Sequence, residues 1–367
     1  MILKDVVEAV EKSDVARINV LKGAIDTYRD PWKIHLSLFP AVDRVLNPPF
    51  INPHLPKMYN ICRDLASHLS REGKRSLVYL ELIEYARRPK LDPAPRKTIP
   101  RSIVDFADIE KSIAEKDREN VAVLLDAFIE QQGVPKLIRS LLLLGSGYLS
   151  QSLGHSVSCT AFILLELRLR RGVNRWPALI LLADYFCKGG FCATPPLTED
   201  IPELSFDECL SRSVTGTGFV DLHHTITLFA IERTRSFLTR AEHRYMLHAW
   251  ARFVGDKQAQ PRSFTTHGKI GDYAHFRESF SQLDPDLMLD LIGGMIGAPT
   301  DRSRLCAFLA TGVCDLYQGR YDPHYLTGLG SLLWLINTCY HDVGLVQDAL
   351  YQYLGFYFKN VRSEDRR

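Results

Sequence analysis

The chain has no run of apolar residues long enough to span a bilayer. Its most apolar stretches, LIRSLLLLGSGYL and RWPALILLADYF, are too short or too interrupted. It also lacks a strong charge of either sign. The net charge over 367 residues is +2 and there is no long basic run, which argues against nucleic acid as a partner. The amino terminus, MILKDVVEAVEKSDVARINVLK, carries charge from its fourth residue and does not have the shape of a signal peptide.

Several chemical signatures are absent as well. There is no H-E-x-x-H and no Glu-x-x-His pair, which argues against a zincin and a ferritin-like di-iron site. No phosphate-binding loop occurs, and no G-x-G-x-x-G follows a strand, so no nucleotide cofactor site is expected. The eight cysteines (Cys62, Cys159, Cys187, Cys192, Cys209, Cys306, Cys314, Cys339) are scattered, as reduced and buried thiols would be. Cys187 and Cys192, in CKGGFC, are the closest pair, but the spacing matches no standard zinc knuckle and no second pair answers it. These features together point to the cytoplasm.

What is present is helix. At 46% hydrophobic and 24% charged, the composition is that of a globular chain able to bury a large core. Apolar residues recur at helical spacing from the first residues onward, interrupted by a cap at Ser13-Asp14. MYNICRDLASHLSREGKRSLVYLELIEYARR (58–88) reads as two helices broken at Gly73. Gly133 and Pro135 mark a helix stop followed by a helix start. Residues 89–102 are rich in proline and must be irregular, and long loops are expected over 187–206 and 255–286. No strand pattern appears, so the expected fold is all-α, a single helical-bundle domain spanning 1–367.

Four helices open with a histidine. His155 is followed three residues on by Ser158 and six on by Ala161. His224 is followed by Thr227 and Ala230, His324 by Thr327 and Gly330, and His35 by Leu38 and Ala41. Position three shares a face with the histidine one turn later, so His with Ser or Thr cuts a short polar notch into an apolar helix. Gly328 and Gly330 in one helix imply that another chain segment comes close. A single such histidine is ordinarily a core residue with a backbone partner. Four of them on separate helices can converge in the bundle, where metal and cofactor sites are built. The expected arrangement is therefore a set of histidine-bearing helices converging on a central pocket. His223 stands beside His224 about a quarter-turn away, and Thr227 favours His224 as the inward residue. Tyr148, Phe162, Tyr185, Phe229, Tyr325 and Trp334 lie near these motifs and are candidates to line a pocket, or simply core.

The ordered set of His35, Gly154-His155, His224 and His324, each opening a helix with a small residue six positions on, resembles the questin oxidase-like family. The likeness spans most of the chain, although each motif is short. The family is associated with oxidative ring opening of anthraquinones in polyketide pathways. Its members are described as Baeyer–Villiger-type oxidases and as non-haem iron dioxygenases. The resemblance implies an Fe(II) centre held by His35, His155, His224 and His324, with His155, His224 and His324 carrying the chemistry. It implies O2 and a small aromatic substrate as partners. Leu38 and Pro40 depart from the pattern and make His35 the weakest member.

Two other readings stand beside this one. A histidine base could deprotonate the substrate so that it reacts with O2 without a metal. The chain could instead be a non-enzymatic helical binding scaffold, but the intervals from His155 to His224 (69) and from His224 to His324 (100) are too irregular for a solenoid. The oligomeric state is not legible.

Overall fold

A computed structural model describes residues 2–96, 98, 102–170, 172–197, 204–256, 268–317 and 322–364. The fold is all-α: among the described residues 74% are helical and no strand occurs. Inter-residue contacts divide it into two compact units. The first comprises Met1–Asn60, Glu81–Leu204 and Ala230–Phe253, and the second Ile61–Leu80, Ser205–Phe229 and Val254–Arg367.

In the first unit, the helix Val134–Ser146 packs along the helix His155–Leu169, and Trp176–Gly189 packs along Arg118–Gln132. Val134–Ser146 starts where sequence punctuation says it should: Gly133 at φ 84° ends the preceding helix and Pro135 opens the next. Its approach to His155–Leu169 depends on Gly145. A Cβ there would lie 2.6 Å from the carbonyl oxygen of Ser156, closer than packed atoms tolerate. Ser156 Oγ donates to the Gly145 carbonyl at 2.7 Å, fixing the register of the two helices.

The helix His155–Leu169 is apolar on nearly every side and almost wholly buried. Leu153 and Gly154 both adopt left-handed backbone (φ 51° and 77°), turning the chain sharply so that His155 begins a new helix axis. Described parts of the proline-rich 89–102 segment are irregular, and the Trp176 indole donates to the Ala94 carbonyl at 2.9 Å.

In the second unit, the helix His324–Thr338 packs on Val343–Glu364, which also receives Pro285–Ile292. The close approach implied by Gly328 and Gly330 is to Leu222 and Ile61. A Cβ on Gly330 would fall 2.3 Å from the Ile61 side chain, and one on Gly328 2.9 Å from Leu222. Tyr353 donates to the Tyr325 carbonyl at 2.7 Å and ties the two long helices together. Gln352 donates to the Ser213 carbonyl and accepts from Thr225, closing a buried polar junction.

Two expectations need correction. Gly73 does not break a helix. It lies in the first turn of Arg71–Arg87, where its N–H donates to Ser70 Oγ, and the break falls just before it, at Leu69 and Ser70. The loop expected over 255–286 contains the helix Tyr273–Phe280, started by Asp272, which accepts from the His275 N–H. That cap sits in a polar neighbourhood rich in glycine, which hides it. Residues 198–203 of the 187–206 loop and 257–267 of the second loop lie outside the described residues.

Candidate metal centre

The first unit pairs His155 with His54, which lies outside the four helix-opening motifs. His54 Nε2 and His155 Nε2 lie 2.7 Å apart, with the rings near-perpendicular at 78°. Both are buried, at 2% exposure each. His155 Nδ1 donates to the Ser152 carbonyl at 2.7 Å, so its Nε2 is the nitrogen left with a lone pair. His54 Nδ1 meets the Asn47 amide nitrogen at 3.2 Å, which donates to it. This arrangement leaves the proton on His54 Nε2, donated to His155.

Further polar contacts continue along the same two helices. Lys57, fully buried, donates to Ser158 Oγ at 3.3 Å. Asn60 donates to Glu166 at 2.8 Å, and Glu166 accepts from Arg170 Nε at 2.5 Å. Arg170 also donates to Tyr59 Oη and to the Leu36 carbonyl. His54, Lys57 and Asn60 recur at three-residue spacing, which places them on one face of the helix His54–Leu65. The hydroxyl three residues after His155 therefore serves Lys57 rather than the histidine.

Burial sets the protonation of nearby groups. The Cys159 thiol is pushed up to about 11, chiefly by desolvation, with the Lys57 charge opposing. The Tyr185 phenol is raised well above its ordinary value, again by burial and then by its proximity to Cys159. None of the eight cysteines is in a disulfide, and every one but the half-buried Cys192 is buried.

His35 has a different environment. Its Nδ1 donates to Glu81 Oε2 at 2.9 Å, and both side chains are fully buried. The imidazole is stacked between Trp32 and Tyr59, with centroids 3.9 and 4.2 Å away and planes within 9° of parallel. Glu81 also accepts from Tyr85 at 2.8 Å.

The second unit holds another facing pair. His324 Nε2 lies 3.0 Å from His223 Nε2. His324 Nδ1 donates to the Asp322 carboxylate at 2.5 Å, and His223 Nδ1 donates to the Phe219 carbonyl at 2.7 Å. Phe219 packs edge-on against both rings. The residue meeting His324 is thus His223, whereas the Thr227 criterion had favoured His224. His224 is also buried, one position along the helix Phe219–Thr234. Thr327 Oγ1 donates to the Pro323 carbonyl, a helix-internal bond that carries no information about His324.

Of the four histidines singled out by sequence, His155 and His324 each face a second imidazole, while His35 faces a carboxylate. His54 was the residue missed, and His223 the one weighed and set behind His224. A signal for His54 was available: Asn52-Pro53-His54 and Asp322-Pro323-His324 are the same Asx-Pro-His helix start. Tyr148, Phe162, Tyr185, Phe229, Tyr325 and Trp334 lie within the two packed units, the first and last of them half-buried and the others buried.

No family model, curated protein or solved structure matches the chain. Among the described residues no helix is long and apolar enough to cross a membrane.

Proposed function

We propose that this chain is an oxygen-using oxidoreductase with a histidine-bound metal, Fe(II) by preference, acting on an aromatic, polyketide-like phenol or anthraquinone. Buried His54 and His155, whose Nε2 atoms face each other at 2.7 Å in the first unit, could hold such an ion. Imidazole is a normal ligand for Fe, Zn and Cu alike, so the donor set fits iron without selecting it. The single observation behind this reading is the outer-sphere arrangement. Three of the four facing imidazoles anchor Nδ1 as a donor, to Ser152, Phe219 or Asp322, and turn Nε2 toward another imidazole. That is how proteins orient histidines for metals.

A redox-active ion held there would supply electron exchange between an electron-rich phenol and O2. The protein's own part is to orient the imidazoles, exclude water and favour the ionised substrate. Asp322 fixes the tautomer of His324, and the Ser152 carbonyl fixes that of His155. Lys57, one turn along from His54, places a buried positive charge in the same helix face, which favours a phenolate over a phenol. The assignment to ring-opening chemistry on anthraquinones is supported by the resemblance of the histidine motifs to the questin oxidase-like family.

The test is elemental analysis of untagged protein, with O2 uptake measured on a panel of hydroxyanthraquinones and their quinols. Near-stoichiometric iron, lost in His54→Ala or His155→Ala together with O2 uptake, is the expected result. Iron-loaded protein that consumes no O2 with any member of the panel would refute the oxygenase reading.

The Asp322–His324 contact favours a second reading. A carboxylate orienting an imidazole is also the arrangement of a general base, which could ionise a phenol for direct reaction with O2. O2 uptake that survives complete chelation would select that version.

A further inference from the structure

We infer that Tyr85 is a redox-active tyrosine that gives up one electron, by way of Tyr59 and His35, to Trp32 at the protein surface. The four rings belong to the first unit and follow one another in space. Trp32 and His35 stack with centroids 3.9 Å apart and planes within 9° of parallel. His35 and Tyr59 stack at 4.2 Å, within 7°. Tyr85 comes next, its centroid 6.5 Å from that of Tyr59. Electron tunnelling falls off exponentially with the gap between π systems, so rings in contact make a short path. Tryptophan and tyrosine are among the side chains most easily oxidised by one electron, and His35 bridges them without being oxidised itself. Trp32 is half-buried, whereas His35, Tyr59 and Tyr85 are fully enclosed. The path therefore has one end near solvent and one end in the core.

The direction of transfer is set by the protons. An oxidised phenol is a strong acid, so a buried tyrosine yields an electron readily only where a base can take its proton. Tyr85 Oη donates to Glu81 Oε1 at 2.8 Å, one turn back on the helix Arg71–Arg87. The other oxygen, Oε2, accepts from His35 Nδ1 at 2.9 Å, which holds the carboxylate in place. Tyr59 Oη donates instead to the His35 carbonyl at 2.9 Å and accepts from the Arg170 guanidinium, neither of which takes up a proton. Tyr59 is thus a stepping stone and Tyr85 the terminus. The step balances. A small one-electron oxidant in solvent, such as an oxygen-centred radical, removes an electron from the Trp32 indole and is reduced. An electron then passes from Tyr85 to the indole radical cation, and the phenolic proton moves to Glu81. The products are a neutral indole, a neutral tyrosyl radical and a carboxylic acid.

The relay requires neither a bound ion nor an aromatic substrate. The experiment is pulse radiolysis of full-length protein in azide solution near neutral pH, with time-resolved visible absorption. The azide radical takes one electron from tryptophan in preference to tyrosine. In wild type the tryptophan radical band is expected to decay as the tyrosyl band grows, at a rate independent of protein concentration. That intramolecular growth should be lost in Trp32→Phe and in Tyr85→Phe. Glu81→Gln keeps an acceptor oxygen but not a base, and should slow the transfer by about 100-fold, the low end for removing a positioned proton acceptor. Far-UV circular dichroism checks that each variant is folded.

Should a variant fail to fold, wild-type protein in D2O puts the same question. Transfer that moves the Tyr85 proton with its electron should be slower there than in H2O. Equal rates in the two solvents would overturn the inference. So would a tyrosyl band that grows at the wild-type rate in folded Tyr85→Phe, or one that Trp32→Phe leaves untouched. Iron content and O2 uptake are read separately, so a relay found in iron-free protein, or iron found in protein without a relay, decides one proposal without the other.

Discussion

His54 and His155 lie 101 residues apart in the chain, yet their Nε2 atoms meet at 2.7 Å, and the proton between them depends on the Asn47 amide. With the amide nitrogen toward His54 Nδ1, the proton resides on His54 Nε2 and occupies the position a metal would take. Turning the amide so that its oxygen accepts from Nδ1–H would release the Nε2 lone pair.

Asn47→Asp should therefore bind a divalent ion more tightly than wild type, because a carboxylate can only accept from His54. Asn47→Leu, which cannot support the ring, should bind about 10–100-fold more weakly. Competitive Co(II) titration checks both. Equal affinities in the three proteins would show that His54 does not depend on Asn47.

Asp43 is buried, and desolvation raises its carboxyl well above the ordinary value, outweighing the opposing charge of Arg44. The native state therefore holds this proton more tightly than the unfolded chain does. Stability associated with Asp43 is complete below about pH 4, the unfolded value, and declines as pH rises through the native value. Asp43→Asn should be more stable than wild type at pH 7, with the advantage disappearing toward pH 4. Urea unfolding at the two pH values measures it, and an advantage that grows on acidification would contradict the assignment.

The contact between the helices Val134–Ser146 and His155–Leu169 leaves no room at Gly145. Gly145→Ala is expected to lower unfolding stability by about 1–3 kcal/mol, the usual range for overpacking a tight site. Because the register of His155 depends on that contact, metal affinity should fall with it. Chemical denaturation and Co(II) titration of the same sample read both effects. A stabilised variant would show that helix propensity outweighs the clash with the Ser156 carbonyl.

Glu81 is the acceptor for both His35 and Tyr85. Glu81→Ala strands two buried donors and should cost about 1–3 kcal/mol for each. Metal content should stay at the wild-type level in Glu81→Ala and in His35→Ala, since His35 is stacked between Trp32 and Tyr59 and paired with a carboxylate. Iron lost from folded His35→Ala would return His35 to the ligand set that its helix-opening motif suggests.

Much of the helical architecture is written locally. Apolar residues at helical spacing, the cap at Asp14, and Gly133 with Pro135 each act within a few residues, so they are legible without knowing what packs against what. The same logic identified helices that open with buried histidines, among them His155 and His324, and noted that Gly328 and Gly330 demand a close neighbour. The sequence could not name that neighbour, because Ile61 and Leu222 reach those glycines from distant parts of the chain.

Partnership among the polar groups was decided by tertiary structure alone. Whether an inward imidazole meets another imidazole, as His155 and His324 do, or a carboxylate, as His35 does, depends on side chains brought together across tens of residues. The choice between His223 and His224 depends on the rotation of one helix by about a quarter-turn, set by the packing of its apolar face. Local composition makes a histidine helix; only packing determines which nitrogen faces which, and that orientation determines the chemistry available.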